Sequence, residues 1–252
     1  MKKIILLSAI ISLLITGSAF QSNLKSTASF QPVAVIELFT SQGCSSCPSA
    51  DHLLSQTINE AKKDGRKIFA LSFHVDYWNR LGWADPFSAK EYSQRQRTYA
   101  AKLNDNSVYT PQMIVNGSRQ FVGSDENDLK DALDKFLHTT PTAAFKTLTV
   151  ALQNNIPPQV KFSLDGDYTG CNINFALVSL SETTSIKRGE NGGITLTNEN
   201  VVRQFISIPS IAEGTINFKA TPVPSGNNMA IIAYLQQNNN LKIIGAAMAE
   251  IK

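Results

Sequence analysis

Two of the three cysteines in this chain stand three positions apart, in the stretch SQGCSSCPSADHLL at residues 41–54. Cys44 and Cys47 could do three kinds of chemistry. As a dithiol they can exchange with disulfides, the lower-pKa sulfur acting as nucleophile. As two thiolates they can supply half of a metal site. Oxidised and inert, they form a structural clip. The redox reading gains from the residues on either side. Pro48 suits the opening turn of a helix, and a helix N-terminus favours a thiolate through unpaired N–H groups and a partial positive charge. Cys44, at or just before that turn, is then the attacking sulfur and Cys47 the resolving one, while Gly43 lets the backbone come close.

A zinc ribbon needs a second cysteine pair, and only Cys171 remains, far along the chain. His74, in FHVDYWNRLGW, is the next candidate. It can stabilise a thiolate or move protons; it can join Cys44 and Cys47 around a soft ion, with copper(I) the expected metal; or it can be a hydrogen-bonded structural histidine. Asp76, Tyr77, Trp78 and Trp83 share its segment and could wall a partner-binding groove. Glu37 lies inside an apolar run, where an acid is costly without a partner or a task.

The elements that must hold these residues are legible from pattern. VAVIELF (33–39) and KIFALSF (67–73) read as buried strands. Residues 47–64 repeat Leu53, Leu54, Ile58 and Ala61 at helical spacing and stop at Gly65. Residues 86–104 read as a polar helix begun by Asp85-Pro86. Residues 111–123 read as a hairpin turning at Asn116-Gly117, and residues 124–139 as a capped amphipathic helix. In a parallel pair, loops leaving both strands emerge at one sheet edge, so His74 and Asp76 are expected beside Cys44. After Thr140-Pro141 the pattern changes to about eight short alternating strands divided by Asn, Gly and Pro clusters, the signature of a β-sandwich. The expected organisation is an α/β domain over 30–140, a mixed sheet flanked by helices, followed by an all-β sandwich-like domain over 141–252.

Lys2, Lys3, an apolar run of about a dozen residues and small Gly17, Ser18 and Ala19 form a signal-peptide pattern over 1–19, with cleavage expected near Ala19. Removing Lys2 and Lys3 takes the formal charge from +3 to +1. A chain so nearly neutral offers nothing to nucleic acid or an anionic membrane surface. Export to the periplasm or beyond implies an oxidising setting, where a disulfide persists.

Strand, Cys-x-x-Cys, helix, strand, then Thr110-Pro111 opening another strand: with this series, residues 33–138 resemble the thioredoxin superfamily. The resemblance implies a cis peptide before Pro111, in the strand facing the cysteines, with Thr110 beside it. It also implies a proton-relay role for Glu37, which matches the buried acid that serves the second cysteine. The Ser45-Ser46 dipeptide departs from the usual oxidoreductases and leaves the direction of electron flow open. More narrowly, ELFTSQGCSSCPSAD, FHVDYWNRLGWADPF, TPQMIVNG and RGENGGITLTNENVVR resemble a family of secreted thioredoxin-like proteins of unknown function. The implied activity is thiol–disulfide exchange with protein thiols or disulfides, using the redox pair itself and no bound cofactor. The rival expectations are a copper(I) carrier using Cys44, Cys47 and His74, and a binding module with a structural disulfide. His52 is expected at the surface, His138 at a helix end, and Cys171 as a buried free thiol. Arg188, Glu190 and Arg203 form a polar cluster that either pairs across a rim hairpin or docks against the redox site.

Overall fold

The computed structural model describes residues 30–103, 107–153, 156–219 and 228–251. The proposed signal peptide and its cleavage point lie outside these residues. β1 (Ala34–Thr40) is buried along its whole length, as expected for an apolar strand covered on both faces. It pairs in parallel with β2 (Ile68–His74), Thr40 opposite His74. Between them runs α1 (Cys47–Asp64), whose buried stripe is Cys47, Ala50, Asp51, Leu54, Ile58 and Ala61. Gly65 closes α1 in the left-handed conformation, its N–H turned to the last carbonyls. β1 also pairs antiparallel with β3 (Gln112–Val115), which turns back into β4 (Arg119–Val122). Asn116 and Gly117 both have positive φ (46° and 62°) in the three-residue turn, Asn116 to Ser118, that joins the paired Val115 and Arg119. Gly117 has a second reason: a Cβ there would stand 1.9 Å from the Leu241 carbonyl oxygen. α3 (Glu126–Leu137) is capped by the Asp125 side chain, which accepts from Asp128 N.

One helix starts later than its pattern predicts. α2 spans Lys90–Lys102; residues 85–88 instead form a turn in which the Asp85 carboxylate accepts from Phe87 N. Asp85 is therefore free to point inward.

The second half differs more from expectation. Its strands are β5 (Ala143–Gln153), β6 (Ile156–Gly166), β7 (Cys171–Ser185), β8 (Thr195–Pro209), β9 (Glu213–Asn217), β10 (Met229–Gln237) and β11 (Ile243–Ile251). Two runs that read as separate strands merge into the single 15-residue β8. Two sheets do stack, with β5-β6-β9 covering Phe175, Leu177, Ile231 and Leu235. The larger sheet is not separate, however: β8 lies parallel beside β2, giving one eight-stranded sheet in the order β11-β10-β7-β8-β2-β1-β3-β4. Side chains fix the join, Ser72 Oγ donating to the Glu199 carbonyl (2.7 Å) and Asn200 Nδ2 to that of Ala70 (3.0 Å). Alternation read strand by strand cannot reveal which edge a distant strand will join. The architecture is thus one large mixed sheet flanked by a few helices, with a β-rich layer against its far end.

The sheet curls until its far strand meets the β3–β4 turn, where Ile243 N donates to the Asn116 carbonyl. The inner face of this curl is an aromatic core with Phe39, Phe73, Tyr92, Tyr99 and Tyr234. α1 and α3 cover the other face of β1–β3.

Candidate functional site

The loop leaving β1 is tightened by short-range bonds: Gly43 N donates to Ser41 Oγ, Cys44 N to Ser41 O, and Cys47 N to Cys44 O. Cys44 and Cys47 form a disulfide with Cα atoms 5.4 Å apart. Cys47 is the first residue of α1, Ser46 is its N-cap, and Cys44 sits in the turn just before. Both cysteines are completely buried, although Ser45 and Ser46 between them are exposed.

A distant segment explains part of that burial. The β7–β8 loop, residues 186–194, sits against the cysteine turn. Asn191, itself buried, donates from Nδ2 to the carbonyls of both Gln42 and Cys44, each at 2.9 Å. The Glu190 carboxylate accepts from Ser45 N at 3.0 Å, and the Ser45 hydroxyl together with this N–H holds its pKa below the ordinary value. Trp83 adjoins Gly189, and its indole N–H donates to Gln42 Oε1. Of the two alternatives for the Arg188–Glu190–Arg203 cluster, the structure has Glu190 dock on the cysteine turn. Arg203 pairs with Glu182 and stacks on Phe87.

Beneath the turn lies a buried polar cluster. His74, at the end of β2, is fully buried, with Nδ1 2.7 Å from Asp85 Oδ2. The same Asp85 oxygen accepts from Gln42 N at 2.8 Å, tying the imidazole to the cysteine loop. Burial opposes charge on His74, but the Asp85 and Asp51 carboxylates outweigh it and hold its pKa above the ordinary value. Asp85 is held below the usual carboxylate range: burial pushes upward, and His74 with the N–H groups of Gln42 and Phe87 prevails. Asp51, one turn after Cys47 on the buried face of α1, accepts from Thr40 Oγ1 at 3.0 Å. Its burial pushes the pKa up to about 6, against the pull of His74 and Thr40. Asp51 Oδ2, His74 Nε2 and Asn198 Nδ2 are buried without a hydrogen-bond partner.

Other expected residues fall in several places. Trp78 donates from Nε1 to Thr110 Oγ1 (2.8 Å), and its Cβ lies 3.4 Å from where a Gly43 Cβ would be, so Trp78 spans from the cysteine loop to Thr110. The Thr110–Pro111 peptide is cis and Pro111 is buried. Tyr77 donates to Gln96 on α2, and Asp76 accepts from Ser93 there; both brace the helix. His52 is exposed, and His138 follows α3 with Nδ1 2.7 Å from the Asp134 carbonyl. Cys171 is a buried free thiol at the start of β7, its pKa raised by burial. Among the described residues, no three His, Cys, Asp or Glu side chains converge as a metal site.

Glu37 is not at the cysteines. It points to the inner face of the curl, opposite α1, where Arg95 grips its carboxylate through Nε (2.6 Å) and Nη2 (2.8 Å). Tyr99 and Tyr234 donate to the same carboxylate. Strand alternation carried the signal: Glu37 shares the parity of Val35 and Phe39, while Thr40 shares that of Leu38, which faces α1. Asp51 could have been found the same way, because it falls four residues after Cys47. Asp85 and Asn191 had no local signal beyond their neighbourhoods.

The family described as "Protein of unknown function (DUF1223)" matches residues 35–236. The chain belongs to it. No curated protein matches this DUF1223 chain. It is similar to the crystal structure of protein AGR_C_4864 from Agrobacterium tumefaciens, with 27% identity and a TM-score of 0.66 over 89% of this chain and 99% of that one. HBP35 of Porphyromonas gingivalis shares the fold, with 16% identity and a TM-score of 0.58 over 88% of this chain and 76% of that one. The DUF1223 match takes in the cysteines, His74 and the β7–β8 loop alike, so the loop over the pair belongs to the same matched unit as the pair.

Proposed function

We propose that this DUF1223 protein is an exported, thioredoxin-like thiol–disulfide oxidoreductase. The observation that carries the reading is the Cys44–Cys47 disulfide at the start of α1, leaving a parallel strand, with an imidazole and two carboxylates buried beneath it. Cys44 precedes the helix cap and is the sulfur a partner attacks or is attacked by; Cys47 resolves. Trp78, bonded to Thr110, spans from the cysteine loop to the Thr110–Pro111 peptide, and these residues would flank a partner that reaches Cys44. The disulfide and the absence of a membrane-length apolar helix among the described residues are compatible with an oxidising compartment outside the cytoplasm.

A second reading has an observation of its own. Both sulfurs are buried beside a docked loop, as suits a permanent staple. One experiment separates them. The reduction potential of the protein is measured against glutathione, and Cys47→Ser is used to trap mixed disulfides in the native compartment. A redox protein equilibrates within the range of known oxidoreductases, roughly −270 to −120 mV, and Cys47→Ser accumulates partners on Cys44. A potential below about −300 mV with no trapped partner defeats the enzyme reading and leaves the staple.

A further inference from the structure

We infer that Asp51, with His74 and Asp85 behind it, is the group that exchanges a proton with Cys47 during thiol–disulfide exchange. This rests on the proposed redox function and assigns to Asp51 a role that the family resemblance places on Glu37. Geometry carries it. Asp51 follows Cys47 by four residues on the buried stripe of α1, a spacing that sets Cβ atoms about 5–6 Å apart. Its Oδ1 is fixed by Thr40, whereas Oδ2 has no partner at ordinary hydrogen-bond distance and only the Asn198 amide near it. His74 Nε2 and Asn198 Nδ2 are likewise buried and unpartnered. Buried polar atoms are nearly always bonded, and each unmet one costs about 1–3 kcal/mol. Asn198 Nδ2 approaches the Asp51 carboxylate closely enough to lower its pKa, so the cluster is a loosely bonded polar site beneath the cysteine turn, with His74 Nε2 unpartnered beside it.

The groups that face this cluster come from every neighbouring element. Cys47 shares α1 with Asp51, His74 comes from β2, Asp85 from the turn before α2, and Arg203 from β8. Asn198 of β8 adds a neutral amide beside the Asp51 carboxylate. Arg203 is committed to Glu182, which leaves His74 and Asp85 as the immediate charges around Asp51.

The steps balance. In the reduced protein, the Cys44 thiolate attacks a partner disulfide; a Cys44–partner bond forms and one partner sulfur leaves as thiolate. The Cys47 thiol then passes its proton to Asp51 Oδ2, and the Cys47 thiolate attacks Cys44 Sγ. The Cys44–Cys47 bond forms, the Cys44–partner bond breaks, and the second partner sulfur leaves with the electron pair. The proton passes on to bulk water or to the departing partner thiolates. Two electrons have moved from the protein dithiol to the partner disulfide. By microscopic reversibility, when a partner dithiol reduces the protein, the same carboxyl returns the proton to Cys47.

The reduced full chain reacted with Ellman's reagent tests this in two phases. The first phase releases one thionitrobenzoate as the reagent couples to Cys44; the second releases another as Cys47 displaces the first adduct. In the wild type, the second phase is expected to titrate well below an ordinary thiol, near the value of about 6 to which burial raises Asp51 in the disulfide form. Asp51→Asn leaves the first phase intact and slows the second at pH 7 by about 100-fold, at the low end for a positioned acid–base group. Its midpoint moves towards that of an ordinary thiol, about 8.5. His74→Gln shifts the midpoint without abolishing the second phase. A first phase with a wild-type second phase in Asp51→Asn overturns the inference and leaves the redox reading standing. No first phase in the wild type removes the redox reading itself. If Asp51→Asn does not fold, the wild-type profile decides alone: a second-phase midpoint at about 8.5, with no inflection near 6, rules Asp51 out.

Discussion

Asn191 is the side chain whose removal should most directly change how the disulfide behaves. Its Nδ2 bonds the carbonyls of Gln42 and Cys44, so the cysteine turn and the β7–β8 loop are stitched together by one amide. In Asn191→Ala both carbonyls lose a donor. At roughly 1 kcal/mol for each net hydrogen bond, the docked state loses about 2 kcal/mol relative to the undocked one. With 1.4 kcal/mol for each factor of ten, the loop is undocked about 30 times more often. If a reductant reaches the sulfurs only when the loop has lifted, the reduction rate rises by the same factor. The assay is reduction by dithiothreitol at fixed pH, followed by alkylation and mass measurement, with global stability measured by urea titration in parallel. Glu190→Gln keeps a neutral acceptor for Ser45 N and should accelerate reduction by only a few-fold. Two outcomes refute the reasoning. An Asn191→Ala rate within twofold of wild type means the loop does not gate access. An acceleration that only matches a loss of global stability means the sulfurs are reached through unfolding and not through a local opening.

Three further expectations concern stability. Arg95→Met leaves the Glu37 carboxylate buried and uncompensated, which costs about 3–5 kcal/mol; urea denaturation should show the loss, and Glu37→Leu in the same chain should restore most of it. The restored double variant should also keep the wild-type Ellman kinetics, since Glu37 lies across the sheet from the cysteines. Asp51 has its pKa raised from 3.8 to about 6 by folding, so the stability it gives is complete below pH 3.8 and is lost as pH rises through 6. That amounts to about 3 kcal/mol at 1.36 kcal/mol per pH unit. The raised His74 adds a loss in the same direction above pH 6.5, while Asp85, held low, loses its contribution only as pH falls below 3.8. Urea midpoints should therefore fall between pH 4 and 6 in the wild type and stay flatter in Asp51→Asn; equal slopes disprove the assignment. Gly117→Ala forces a side chain into positive φ and against the Leu241 carbonyl, and should destabilise by about 2 kcal/mol or more, read as a shifted urea midpoint.

Much of the fold and part of the site could be read in advance, and the division has physical reasons. Local pattern fixed β1, α1, β2 and α3 almost to the residue, because buried strands, capped helices and the Asn116-Gly117 turn write their signals within a few positions. The closeness of Cys44 and Cys47 at the start of α1 and the placing of His74 beside the same sheet edge followed from that, whereas their joining as a disulfide was one of three open alternatives. Pairing at long range left no such trace. Nothing local in TNENVVR says that Val201 will lie beside Ser72, so a sandwich read as separate proved to be the continuation of the first sheet. The same gap hid Asn191, which reaches the cysteine turn from 147 residues away. Glu37 departs from its expected role for a different reason: a family resemblance named the position, and the parity of the strand put the side chain on the other face.

The way the β7–β8 loop holds the cysteine turn has a consequence for selectivity. Asn191 and Glu190 occupy main-chain atoms of Gln42, Cys44 and Ser45, the groups that an extended polypeptide laid along that turn would itself use. Under the proposed exchange function, the loop would compete with a partner's backbone for those groups, tethered at high effective concentration. A small thiol that displaces it leaves those carbonyls and that N–H to water, at the net cost of the bonds lost. A polypeptide arriving with its own amides and carbonyls could replace each bond it breaks, so on that function the sequence between β7 and β8 would set how peptide-like a partner must be.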